Sequence, residues 1–126
     1  MRRGGRPVFL DLRAIRMPPG AVASILHRLS GVLLFLAIPL LLWALERSLA
    51  GPEGFEALRA ALAPWPVRLL AVVLLWALTH HLLAGVRFLL MDLGLGHALG
   101  PARASARVVT AAGLLGLVVA AWGLLA

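Results

Sequence analysis

The sequence contains no cysteine. That absence excludes disulfides, thiolate metal sites and iron–sulfur ligation within the chain. Lysine is missing too, so all twelve basic residues are arginine. Charge of either sign is scarce, at 13% of residues. A soluble domain would be about a quarter charged and roughly half apolar. Here 62% of residues are hydrophobic and the mean hydropathy is +0.98, a membrane composition. The 126 residues are too few for several soluble domains. They suffice for three spans of ~20 residues in one membrane domain. The net charge of +7 could suit nucleic acid. The arginines, however, cluster beside apolar runs, which fits lipid headgroups and membrane orientation. No soluble basic fold exists to carry nucleic-acid binding, and none is expected.

The expected fold is all-α, with three transmembrane helices in a single unit over residues 1–126. Residues 1–20 are a basic, proline-broken lead-in holding Arg2, Arg3, Arg6, Arg13 and Arg16 against Asp11. A signal peptide does not fit, because the apolar stretch starts too late and runs too long. The spans are expected at about 21–47, 66–92 and 104–126. Pro39 should kink the first. Gly51-Pro52-Glu53-Gly54 reads as a turn, and Phe55 to Leu62 as a short interfacial helix with Phe55, Leu58 and Leu62 on one side. Trp65 suits a membrane interface and Pro66 a helix start. Gly94, Gly96, Gly100 and Pro101 are expected to form a loop. Ala112, Gly116 and Ala120, at four-residue spacing, suit close helix packing. The arginine distribution puts the N-terminus and the second loop in the cytoplasm.

Ionisable groups inside such spans are costly and mark functional sites. The second span ends in Thr79-His80-His81-Leu82-Leu83-Ala84-Gly85-Val86-Arg87-Phe88-Leu89-Leu90-Met91-Asp92. On a helix, Ala77, His81 and Gly85 share one face. A histidine between small residues leaves a recess able to admit a haem with imidazole on its iron. The competing reading is a histidine hydrogen-bonded to a neighbouring helix. His81 supplies one axial ligand, and His27 and His97 lie near membrane ends, so the second would come from another chain. Arg87 could snorkel to phosphates or pair with a haem propionate. Asp92 could answer Arg87 or Arg28. His80 and His97 have no assigned role.

A second cluster is Ser24-Ile25-Leu26-His27-Arg28-Leu29-Ser30-Gly31. Ser24, His27, Arg28 and Gly31 line one broad face at the entrance of the first span. Hydroxyl, imidazole and guanidinium there suit a polar head with a lipid-soluble tail, such as a quinone. The competing reading puts Arg28 on lipid phosphate and Ser24 at a helix cap.

Taken together, Arg6-Pro7, Leu10-Asp11-Leu12, Ile15-Arg16, the Ser24–Gly31 cluster, Gly51-Pro52-Glu53-Gly54-Phe55-Glu56, and His81 followed by Gly85-Val86-Arg87 and Met91-Asp92 resemble one family. It is the cytochrome b subunit of succinate dehydrogenase (respiratory complex II), the larger of the two membrane-anchor chains. The resemblance covers nearly the whole chain. It implies a bundle completed by the smaller anchor chain, with flavoprotein and iron–sulfur subunits as further partners. It implies a bacterial inner-membrane protein that is not catalytic alone. His81 would be an axial ligand of haem b shared with the smaller anchor, with His27 and Arg28 near the propionates. Ser24 and Arg28 would line the site for ubiquinone or menaquinone. Phe88 stands where some bacterial relatives carry histidine, so a propionate contact from that position is lost. Alternatives are a haem-free quinone-binding anchor of a fumarate reductase-type complex, and a small transporter. The transporter is disfavoured because Glu46 and Asp92 lie at span ends.

Overall fold

The computed structural model describes residues 16–126, all of whose regular elements are helices. The arginines and motif residues of positions 1–15 lie outside the described residues. Four helices follow in order: α1 (Pro19–Leu49), α2 (Pro52–Ala61), α3 (Trp65–Asp92) and α4 (Leu99–Leu125). Three of them, α1, α3 and α4, are long and apolar enough to cross a membrane, with mean hydropathies of 2.1, 2.0 and 2.2. At ~1.5 Å per residue each exceeds the ~30 Å hydrocarbon core.

Each helix starts where the sequence allows a backbone donor to be missing. Pro19, Pro52 and Pro66 lie in the first turns of α1, α2 and α3, where N–H groups have no intrahelical partner anyway. Pro101 falls in the first turn of α4 for the same reason. Gly100 and Pro101 therefore belong to α4, not to the expected loop, and the connection shortens to residues 93–98. Its opening is set by Gly94, whose φ of 81° suits a residue without Cβ. The Gly94 N–H reaches the Met91 carbonyl at 2.9 Å and the Leu95 N–H the Leu90 carbonyl at 2.9 Å. These two bonds close α3 with a Schellman motif. Helix α1 runs through Pro39 without a break in the helical assignment.

The packing inverts that of a water-soluble bundle. The buried apolar residues are all small or medium: Ala23, Ala37, Val72, Ala77, Ala84 and Ala106. The large ones point outward, including Phe35, Leu36, Leu89, Val119 and Trp122, the last 78% exposed. Hydrocarbon solvates leucine as well as a protein core does, so close approach of small residues and internal polar contacts hold such helices together. Helix α3 is central and contacts both α1 and α4. Its join to α4 depends on Gly113 and Gly116. A Cβ on Gly113 would lie 2.7 Å from His80 Nδ1, and one on Gly116 would lie 2.9 Å from Thr79 Cγ2. The contacting stripe on α4 is thus Ala106, Gly113 and Gly116. Gly116 belongs to the expected set with Ala112 and Ala120, all three half-buried, while Gly113 lies outside it.

The start of α1, the end of α3 and the start of α4 share one end of the bundle. Met17, Pro19 and Val22 meet Arg107 there around a surface groove. Ser24, His27, Arg28, His81 and Arg87 all fall in this half. Short helix α2 lies at the opposite end, where Leu58 and Leu62 meet Leu41 and Ala44 of α1 and Leu70 of α3. Phe55, Leu58 and Leu62 share one face of α2, as expected, around a second groove with Arg68 of α3.

Substituting Gly113 by valine forces His80 off α4 and should cost about 1–3 kcal/mol, as overpacking does. Gly123→Val, on the same helix with nothing within 4 Å, should be near neutral. Thermal unfolding of the two variants in detergent compares them directly.

Candidate functional site at the α1–α3 contact

His81 leans from α3 onto the Ser24–Gly31 face of α1. Its Nδ1 lies 3.1 Å from the His27 backbone carbonyl and 3.3 Å from Ser30 Oγ. Ser30, fully buried, donates its own hydroxyl to the same carbonyl at 2.9 Å. A carbonyl oxygen only accepts, so the hydrogen of the imidazole sits on Nδ1. Nε2 is then left with its lone pair and with no hydrogen bond to a described residue. The ring is half-buried, so one side of it faces away from the bundle.

Two further features fix that ring. Gly31 lets it approach: a Cβ there would stand 3.0 Å from His81 Cε1. The His27 ring stacks on the His81 ring with centroids 4.2 Å apart and planes 8° apart. His27 in turn meets Phe88 edge-on, at 5.2 Å between centroids. His27 lies beside the recess expected at Gly85, its Nε2 3.5 Å from where a Gly85 Cβ would be. A Cβ at that distance would make only an ordinary contact, so His27 borders the recess without requiring the glycine.

Arg28 is exposed on the outer side of the same α1 face, and its Nη2 donates to Ser24 Oγ at 3.2 Å. The Ser24 oxygen thus acts as acceptor, which leaves its O–H free to donate outward. One turn-sized patch presents a hydroxyl and a guanidinium to an incoming molecule.

Arg87 turns toward α4 rather than toward His81. Its side chain is 7% exposed and bound to α4, with Nε donating to Ser105 Oγ at 2.9 Å and Nη2 to the Ala102 carbonyl at 2.9 Å. The guanidinium carbon lies 5.1 Å from the Phe88 ring centroid. Asp92 forms no ion pair with Arg87 or Arg28; among the described residues the ion pair present is Arg59 with Glu56, at 3.8 Å.

His80 points into the core, fully buried, with Trp76 stacked beside it at 5.9 Å. Neither ring nitrogen makes a well-formed hydrogen bond, although the Ala23 backbone of α1 lies close by. No role for His80 was legible in the sequence, and its adjacency to His81 explains why: one residue turns a helical side chain by ~100°, away from the His81 face and toward α4. His97 is exposed in the α3–α4 loop, Nδ1 2.7 Å from the Gly94 carbonyl. Among the described residues no three His, Asp or Glu side chains converge to hold a metal ion. What the site offers is one oriented imidazole with a free Nε2. That donor fits a single axial position on a haem iron, where a hydrogen bond at the other nitrogen fixes the ring and raises its basicity.

Comparisons with known proteins point to one family. Residues 2–120 match the model of the family described as succinate dehydrogenase/fumarate reductase transmembrane subunit. The succinate dehydrogenase cytochrome b556 subunit of Coxiella burnetii is 40% identical over 117 residues, covering 91% of this chain and 93% of that protein. The subunit of the same name from Paracoccus denitrificans is 32% identical over 111 residues, covering 88% and 85%. That of Rickettsia felis is 29% identical over 94 residues, covering 75% and 73%. With nearly its full length matched, the chain belongs to the family of succinate dehydrogenase and fumarate reductase transmembrane subunits.

Proposed function

We propose that this chain is the cytochrome b anchor of a succinate:quinone oxidoreductase, supplying one haem b ligand and part of the quinone site. The observation that carries the reading is the His81 imidazole, clamped at Nδ1 by the His27 carbonyl and open at Nε2. His81 would hold the haem iron from one side, and a histidine of the smaller anchor chain from the other. His27, stacked on His81, and Arg28 on the same face would meet the propionates. Arg87, committed to Ser105 and Ala102, is left out of that set. Bound between the two anchors, haem supplies a one-electron store inside the membrane.

The quinone reading rests on Ser24 and Arg28. Reduction of a quinone to a quinol consumes two electrons and two protons. The electrons would come from succinate through the flavoprotein and iron–sulfur subunits, which do the oxidation; this chain does not. Arg28 holds Ser24 Oγ as acceptor, so the Ser24 O–H donates to one quinone carbonyl. The remaining guanidinium N–H groups donate beside it and stabilise the negative charge that builds on oxygen as electrons arrive. The exposed position of Arg28 suits a site completed by the iron–sulfur subunit. Arginines at the shared end of α1 and α4 support a cytoplasmic N-terminus in a bacterial inner membrane.

A reduced-minus-oxidised optical spectrum of the purified assembly tests the reading first. A b-type α-band should be present, and absence of haem from an assembly holding all its partners would overturn it. His81→Ala should remove or strongly weaken low-spin haem, while His80→Ala, which lacks the α1 clamp, should retain it with lower thermal stability. Gly31→Val pushes on Cε1 of His81 and should shift or broaden the α-band without changing any donor atom. Arg28→Leu should depress quinone reduction at least about tenfold, the worth of a charged hydrogen bond, while electron transfer to a soluble dye persists. Equal loss in both assays would point to failed assembly.

A further inference from the structure

Arg87 poses a charge problem that the α1–α3 site does not solve. A guanidinium 7% exposed in a membrane span is costly without an opposite charge. Its described partners, Ser105 Oγ and the Ala102 carbonyl, are both neutral. They use two of its five N–H donors. No carboxylate of the described residues pairs with it. Beside it runs an open groove of about 520 Å³ between α3 and α4. Apart from Arg87 and Ser105 its walls are apolar, from Leu83 and Val86 at depth to Leu95 and Pro101 at the α3–α4 loop.

We propose that this groove is a binding site for an anionic phospholipid, with an acyl chain along the apolar wall and the headgroup phosphate on the Arg87 guanidinium. Three observations select a lipid. The groove runs from hydrocarbon depth to the loop, the path of an acyl chain with its head at the surface. Arg87 precedes the end of α3 at Asp92 by five residues, roughly 7.5 Å along the axis, close to headgroup level. Finally, the groove faces away from the haem side. At ~100° per residue, Val86, Leu83 and Leu90 lie about 140°, 160° and 180° around α3 from His81. The direction argument rests on the haem reading, since the smaller anchor must stand on the His81 side to supply its ligand. A phosphate offers the donors of Arg87 both a full negative charge and several acceptor oxygens.

The test uses the intact assembly, delipidated in detergent and titrated separately with dioleoyl-phosphatidylglycerol and dioleoyl-phosphatidylcholine. Bound lipid is counted by native mass spectrometry. Both lipids carry the phosphodiester, so the wild type should retain each more tightly than Arg87→Gln does, and phosphatidylglycerol about tenfold more tightly than phosphatidylcholine, whose choline cation is repelled by the guanidinium. Arg87→Gln should abolish that preference. Val86→Trp fills the groove from an exposed position, keeps the arginine, and should weaken retention of both lipids; it decides the matter if Arg87→Gln fails to assemble. Unchanged preference in Arg87→Gln, or unchanged retention in Val86→Trp, overturns the site. So does a disulfide between a cysteine placed at Val86 and a partner subunit, which would mean that protein covers the groove. Phosphatidylglycerol retention by a chain that carries neither haem nor partners would sustain the lipid site while removing the function proposed above.

Discussion

The hydrogen bond between His81 Nδ1 and the His27 carbonyl, 3.1 Å long, is the contact around which this bundle is organised. It joins α1 to α3 at the depth where water is scarce and an unpaired imidazole hydrogen is expensive. It sets the tautomer, which decides whether Nε2 can bind a metal at all. It also needs close approach of the two helices, and Gly31 grants that approach. Ser30 shares the same carbonyl, so three polar groups satisfy one another without a water. A change in the crossing of α1 over α3 would break the bond, release the tautomer and separate His27 from His81 in one movement.

The rest of the packing follows from the solvent. Large side chains gain nothing by leaving lipid for the bundle interior, so burial selects for size and polarity instead. Alanine, glycine and serine lie where helices touch. The buried polar residues Ser30, His80 and Arg87 lie there too, because hydrocarbon would penalise them more. His80 is the extreme case: both nitrogens are enclosed without a well-formed hydrogen bond, and Gly113 is the glycine that makes space for it. A histidine and a glycine on facing helices act here as one packing unit.

Much of this was legible in the sequence. Three apolar runs gave the spans, and the small neighbours of His81, with no internal partner histidine, singled it out as a candidate ligand. The resemblance then gave the family. Other features were not legible because they depend on which neighbour a helix face meets. Gly85 reads as a recess for a cofactor, and only the packing of α1 shows that His27 borders it. Ala112, Gly116 and Ala120 share a four-residue spacing, and Gly116 meets Thr79 as that spacing suggests, but Gly113, which makes room for His80, falls outside the pattern. Arg87 near a helix end reads as a snorkelling residue. Its capture by Ser105 and Ala102 needs the α3–α4 angle, which the Schellman closure at Gly94 and the early start of α4 set.

Helix α3 consequently carries two different chemistries on opposite sides. Toward α1 it presents an imidazole whose hydrogen is already committed, leaving a lone pair for a metal. Toward α4 and beyond, it presents a permanent cation whose described partners are neutral. The two cannot be exchanged. Imidazole binds iron because it can be neutral, and guanidinium cannot be deprotonated in a protein. A neutral ligand face suits contact with a second anchor chain through a shared group, since no charge need be desolvated when the chains dock. A permanent cation suits a partner that brings its own negative charge and a tail matching the groove. The separation of these faces by roughly half a turn of one helix would let a single span meet a partner on one side and lipid on the other, as proposed above.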